Sequence, residues 1–478
     1  MQCSINCKPT RMNKQIVRSQ KDRSLLFLAG LMLVIVNCSA QTTYTWTGST
    51  STNWNTTSNW TPAGTPGSTD TVIITSHTNN PALANNTTIA WLSITGATLT
   101  LNSHTLTTSN KLELASSAIT SGDIQATGKL IDIASTAISA SITASCEDVF
   151  VSTSHLNSSV DLTKTGSSVN ICSGGNVFAA PVTINENGSG RISLAYNVPD
   201  TFNSTLTANN NGTADLQFGG FSQHNQYSGD VYCNVATTSS GIQISFGAGN
   251  GGGDFGGNLY LSNASGGYGG VNIGNSGSFT QAAGKTISIG SGGYAVGYCQ
   301  LHYFTQASSV VNTLTFTGSS GVVLVVDHCN ISGSFNSTNT YAFEAYNNTF
   351  NKLSVYTGYL YYLGSNTFNG PTSINLNVLI GGGGSNNPGG NTFNDTTLIS
   401  NTGNTNLGMG ISAADIFNGP VTFTASHDIY LAYGSANNQI NNDLTINQIS
   451  GGVVVTTSTS GSSLVFNGLL LTLHRNCR

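Results

Sequence analysis

Charge is what this 478-residue chain has least of: Lys, Arg, Asp and Glu make up 7% of it, as 14 basic and 19 acidic residues. So few cations argue against a nucleic-acid partner, because a nucleic-acid groove uses Lys and Arg to replace the phosphate counterions. The 9 cysteines include no C-x-x-C pair, so a zinc site has no sequence support. Ala-, Leu-, Glu- and Lys-rich runs of helical period are missing, which argues against a helical protein. GxSxG, HExxH, P-loop and calcium-loop patterns are missing too, and the glycine clusters Gly249 to Gly253 and Gly381 to Gly384 precede no basic residue. No cofactor and no metal are expected.

What is present in quantity is glycine, 56 residues, with Ser, Thr and Asn at the polar positions. A phrase also returns: Asn366-Thr-Phe-Asn-Gly-Pro, Asn391-Thr-Phe-Asn-Asp, Asp415-Ile-Phe-Asn-Gly-Pro. Its apolar anchor runs through Phe178, Phe202, Tyr227, Phe255, Phe279, Phe304, Phe368, Phe393, Phe417, Ile440 and Phe466. Successive gaps are 24, 25, 28, 24, 25, 64, 25, 24, 23 and 26, and the long gap holds weaker copies near Phe335 and Phe343. Apolar pairs two apart follow the anchor, as in Val182 and Ile184 or Val421 and Phe423, which is strand spacing. The expected fold is therefore all-β, a parallel β-helix (β-solenoid) with coils of roughly 25 residues. At the usual strand spacing of about 4.8 Å, some 16 coils would make a rod of roughly 75 Å.

Two residues before the anchor stand Asn176, Asp200, Asn225, Asn348, Asn366, Asn391, Asp415 and Asn438. Asn and Asp tolerate the left-handed conformation and bond their own backbone, so these residues are expected to form a ladder up one corner. Repetition at equivalent places argues for turn chemistry rather than catalysis, since an active site needs a unique constellation. The best unique cluster is Asp327-His328-Cys329-Asn330 with Glu344, read as a polar corner in a degenerate coil. A second distinct region holds eight aromatics between Tyr341 and Tyr362; there some of Tyr356, Tyr359, Tyr361 and Tyr362 are expected to form an exposed strip able to stack on sugar rings.

Residues 1–41 read as a signal-peptide region: Lys14, Arg18, Lys21 and Arg23 precede the apolar run Leu25 to Val36, with Cys38-Ser-Ala40 as the cleavage site. Cys38 leaves lipidation open as the alternative. No other stretch is apolar enough to span a membrane once the signal is removed. The remainder would carry 8 basic against 18 acidic residues, a net of −10. Residues 42–75, with Trp46, Trp54 and Trp60, read as an atypical N-terminal cap; residues 76–468 are the repeats, and 469–478 an aberrant or truncated tail. Of the cysteines, Cys146, Cys172, Cys233, Cys299 and Cys329 fit buried strand positions, with stacked disulfides the alternative.

The W-x-G…W…NW…P-G…D-x-V-x-I opening from Trp46 to Ile74, together with the N-x-F-N-G-x-V-T-F repeats, resembles the secreted, adhesin-like cell-surface proteins of Bacteroidetes and, more loosely, autotransporter passenger regions. The resemblance covers most of the chain after the signal and implies an exported, extracellular or outer-surface protein of the type IX secretion kind. The sorting domain usual in that family is not seen before Arg478. The expected function is a non-enzymatic structural or adhesive role in attachment, with surface glycans or other cell-surface proteins as partners. The alternative is a carbohydrate-active β-helix, a polysaccharide lyase or glycoside hydrolase, or a glycan-binding module.

Overall fold

The computed structural model describes residues 41–475 apart from 222–223, 237–238, 240, 264–268, 295, 309–312, 318–320, 377–384, 404–405, 451–452 and 455–460. The signal-peptide region therefore lies, but for Gln41, outside the described residues. From Thr43 on, the described chain is β-strand after β-strand, with a single 3-10 turn at Thr57–Asn59 and no α-helix. Nearly every pairing is parallel and joins one coil to the next, the arrangement of a β-solenoid.

Each coil has three faces. The first is a column of strands whose inward residues run Ile124, Ile142, Val160, Val182, Leu206, Val231, Leu259 and Ile287. The second includes Ile192–Leu194, Leu216–Phe218, Gln243–Phe246, Gly270–Ile273, Val296–His302 and Gly321–Asp327. The third is built from strands of two or three residues carrying the anchor, such as Val177–Phe178, Thr201–Phe202 and Thr367–Phe368. Alternation sends one side chain of each pair into a continuous core and the other outward. Inward rings stack coil upon coil: Phe350 on Phe368 at 5.0 Å, Phe368 on Phe393 at 4.9 Å, Phe393 on Phe417 at 4.7 Å.

The coil is not of one length. It takes 18 residues from Ile124 to Ile142, 24 from Val182 to Leu206, 28 from Val231 to Leu259, and 18 again from Ser354 to Thr372. In the short coils the first face runs straight into the second as one strand, as in Asp123–Ala134 and Ser141–Ser152. In the longer coils a loop opens between those faces. The link from anchor to next strand is four residues in most coils, from Phe178 to Val182, Phe202 to Leu206 and Phe417 to Val421.

The described chain opens on three short strands around the tryptophans. Strand Thr43–Trp46 pairs antiparallel with Trp60–Thr61 and parallel with Thr71–Thr75. Trp46 and Trp54 each meet Trp60 edge-on at 4.8 Å, all three buried, and the Trp60 indole donates to the Trp54 carbonyl at 2.7 Å. Buried Asn59 ties the cap loop, accepting from the amides of Thr50 and Ser51. Leu470–Arg475 adds a strand against Leu444–Gln448, with a register shift after Leu444. The five cysteines from Cys146 to Cys329 are buried, and burial pushes the Cys146 thiol up to about 11 and those of Cys172 and Cys329 up to about 12.

Candidate functional site

The Asn and Asp ladder exists, but its residues do not themselves turn the corner. The left-handed residue is the one before: Thr153, Gly175, His224, Asn347, Ser365, Gly390 and Asn437 all have positive φ. That turn aims the next side chain inward at Asn176, Asn225, Asn348, Asn366, Asn391 and Asn438; Asp200 and Asp415 follow Pro199 and Ala414 without it, and all eight are buried. There they satisfy backbone groups of neighbouring coils rather than their own. Asn391 Oδ1 accepts from the Asn366 amide at 3.1 Å and its side-chain nitrogen at 3.0 Å. Asn391 Nδ2 donates to Asp415 Oδ1 at 2.9 Å and to the Leu363 carbonyl at 3.1 Å. Ser154 and Thr136 extend the ladder below Asn176.

Asp200 and Asp415 break this pattern. Each accepts from the rung below and donates its amide to the asparagine above, yet Oδ2 stands where an asparagine carries its amide nitrogen and makes no hydrogen bond of normal geometry. Burial pushes Asp200 up to about 7 and Asp415 up to about 6, against the hydrogen bonds from Asn176 and Asn391 that favour the charged form. A proton on Oδ2 would restore the missing donor.

Between Asn225 and Asn348 the ladder position is held by Gly253, Phe279, Phe304 and Cys329. Phe279 and Phe304 are therefore not anchors: the anchor column at those coils is Gln281 and Gln306. Phe-Thr-Gln is Asn-Thr-Phe with the ring and the amide exchanged, which preserved the 24- and 25-residue spacing and hid the exchange. Gln306 Nε2 donates to Gln281 Oε1 at 3.1 Å, and the Gly333 amide donates to Gln306 Oε1 at 2.9 Å. The anchors missing from the 64-residue gap are Ile331 and Phe350, not Phe335 and Phe343, which sit on the other two faces.

Along this block the corner column runs His224, Gly252, Ser278, Tyr303 and His328, successive positions joined by backbone bonds such as Asn225 N to Gly252 O and Phe279 N to Tyr303 O. With no large side chain at Gly252 and Ser278, a groove of about 390 Å³ opens beside His224 and Ser278. A second of about 430 Å³ lies on the adjoining third face, lined by Gln226, Asp254, Thr280 and Thr305. Asp254 is held there by Gln226 at 2.6 Å and Thr280 at 2.5 Å.

Tyr303 and His328 close one end of the corner column. Both are bulky residues in the left-handed region, at φ 49° and 53°, an unfavourable conformation that Thr153 and His224 also adopt at this corner and that the coils after His328 fill with Asn, Ser or Gly. Their rings stack at 4.8 Å. Asp327 accepts from His328 Nδ1 at 2.7 Å on one oxygen and faces His302 Nδ1 at 3.5 Å on the other. One coil on, the Tyr346 hydroxyl donates to Glu344 at 2.7 Å; burial, then that bond, pushes the phenol well up. Because Asp327 pairs with Tyr346 and Val325 with Glu344, the two acidic residues sit at diagonal positions on adjacent coils.

The expected tyrosine strip fails at Tyr356. Its register with Ser337 and Ile374 turns it inward, buried and stacked on Phe343 at 4.9 Å. Tyr362 is half-buried with its ring 4.4 Å from Tyr346, so it belongs with Glu344 and Tyr346. The side chains of Tyr359 and Tyr361 lie outside the described residues. An outward asparagine column escaped the sequence reading: Asn351, Asn369, Asn394, Asn418, Asn441 and Asn467 each donate to the one before, at 2.6 to 2.9 Å, beginning at Asn330. The Asn directly after the anchor in each phrase was its signal.

Among the described residues no group of three His, Cys, Asp or Glu could hold a metal ion, and no helix is long and apolar enough to cross a membrane. Comparison with curated proteins and with solved structures found no match. A family model described as a domain of unknown function (DUF8693) matches residues 45–214, which takes in the tryptophan cap and the coils up to Asn210 and stops short of the corner groove.

Proposed function

We propose that this chain is an exported, non-enzymatic β-solenoid that works in attachment at the cell surface. The observation that carries the reading is how the repeated Asn and Asp side chains are used. They are spent on hydrogen bonds between coils, inward through Asn391 and its neighbours and outward through Asn418 and its neighbours. Acid–base chemistry needs a carboxyl free to exchange a proton with a ligand. Asp327 instead has imidazoles at both oxygens and Glu344 holds a tyrosine hydroxyl. The acidic balance and the signal-like N-terminus add the expectation of export.

The test is to locate the protein in fractions of the producing cells and to compare attachment of a deletion strain with its parent. Recovery outside the cytoplasm with weakened attachment in the deletion supports the reading; a purely cytoplasmic protein overturns it. The second reading, a carbohydrate-active β-helix, draws on the diagonal placement of Asp327 and Glu344 on adjacent coils, since glycosidases act through a pair of carboxyl groups. Release of new reducing ends from a polysaccharide panel by the purified chain, lost in Asp327→Asn, would replace the first reading with this one.

A further inference from the structure

We infer that the corner from His224 to His328 is a binding site for a neutral sugar chain lying along the stack of coils; this rests on the attachment reading above and names the partner's chemistry. Three observations converge on it. The grooves beside His224 and along Gln226 to Thr305, at about 390 and 430 Å³, fall within the range of small-ligand sites, roughly 300–1,000 Å³. The first opens where the corner residue is replaced by Gly252 and Ser278, so there the break in the repeat makes the room; the second lies over the outward side chains of the adjoining third face.

The corner offers both things a sugar chain needs, an apolar ring face and partners for its hydroxyls. Tyr303, 39% exposed, and His328 put a stacked pair of rings further along the same corner column, beyond the two linings, and exposed His224 lines the first groove. Asp254, Gln226, Thr280 and Thr305 give hydrogen-bonding groups between them, with Asp254 and Thr280 held in place by bonds to each other. Holding those groups before the ligand arrives lowers the ordering cost of binding. Finally, Tyr303 and His328 keep their rings at this corner despite left-handed backbone, where the next coils use Asn347 and Ser365. Strain retained at a surface corner is a reason to look for function there.

Charge selects the class of sugar. The groove's charged side chain is the carboxylate of Asp254, and Asp327 lies beside the rings, so a uronate or sialylated chain would be repelled while a neutral or amino-sugar chain would not. Recognition would combine stacking on Tyr303 with hydroxyl donation to Asp254.

The experiment titrates the purified full chain with cello-oligosaccharides, chito-oligosaccharides and oligogalacturonate by calorimetry, beside an assay of attachment to protein-coated beads. Saturable binding of a neutral oligosaccharide is expected, with none of oligogalacturonate. Tyr303→Asn should weaken it at least tenfold and Asp254→Asn at least threefold, with unfolding midpoints unchanged. Asn is chosen at position 303 because Asn347 already holds the same left-handed corner. Binding that survives the double variant, or tighter binding of oligogalacturonate, overturns the inference. If beads promote attachment while no neutral sugar binds, the site falls and the attachment reading stands; if sugar binds without attachment, the reverse holds.

Discussion

Two blocks of this solenoid have the same shape and opposite chemistry. From Asn348 to Asn438 every coil places an amide or carboxyl at the corner and an apolar anchor beside it; at Phe279 to Gln281 and Phe304 to Gln306 the ring takes the corner and the amide the anchor position. Both solutions bury one polar and one aromatic column and keep strands in register. The regular block fills its corner, whereas the exchanged block and the glycines beside it leave a groove flanked by the residues least explained by the repeat. Consistency marks scaffold, and its local failure marks the place to look for function.

The sharpest way to break the comparison is to remove a rung. Asn391→Ala would remove this partner from the buried Asn366 amide and the Leu363 carbonyl, at about 1–3 kcal/mol apiece, and leave the Asn366 side-chain nitrogen only its bond to the Ala345 carbonyl; we expect a loss of about 4 kcal/mol, read from urea unfolding. A smaller loss, about 2 kcal/mol, is expected for Gln306→Leu, which orphans the Gly333 amide and one Gln281 acceptor while filling the same volume. The outward column should matter least. Asn418→Ala, with partners at 2.8 and 2.9 Å but open to water, should cost no more than about 0.5 kcal/mol, and an equal loss at 418 and 391 would erase the distinction between inner and outer ladders.

How far the sequence went is clear from these same residues. The phrase was legible because the following strand usually begins four positions after the anchor, so Asn, Phe and the apolar pair keep a fixed offset whatever the coil length. Coil length was not legible: in the coils from Asp123 to Val160 no loop separates the first two faces, and no phrase announces 18 residues. The exchange at Phe279 was invisible because aromatic spacing survives when ring and amide trade places. Tyr356 was misplaced because alternation alone does not give phase; burial of Ser337 beneath it does. The groove could not be read at all, since it is made by side chains that are missing from the corner.

The central claim is that buried Asp and Asn are rungs, and Asp200 and Asp415 test it most directly. Burial holds both carboxyls above the unfolded value of 3.8, at about 7 and about 6, so folding takes up protons. Stability should therefore be highest below about pH 4, fall as the pH rises toward 7 and level off above, by an amount of the order of 3 kcal/mol for each group. Other titratable groups facing Asp200 are the Cys172 thiol and the Tyr227 hydroxyl, both pushed upward by burial and so neutral across this range. Asn at either position supplies the missing donor permanently. The measurement is urea unfolding of Asp200→Asn/Asp415→Asn beside the parent chain from pH 4 to pH 8. We predict a variant at least as stable at pH 4, several kcal/mol more stable at pH 8, with the remaining slope owed chiefly to Glu186, whose carboxyl burial also pushes up to about 7; a variant destabilised at pH 8 would mean that these carboxylates are needed charged and are not rungs.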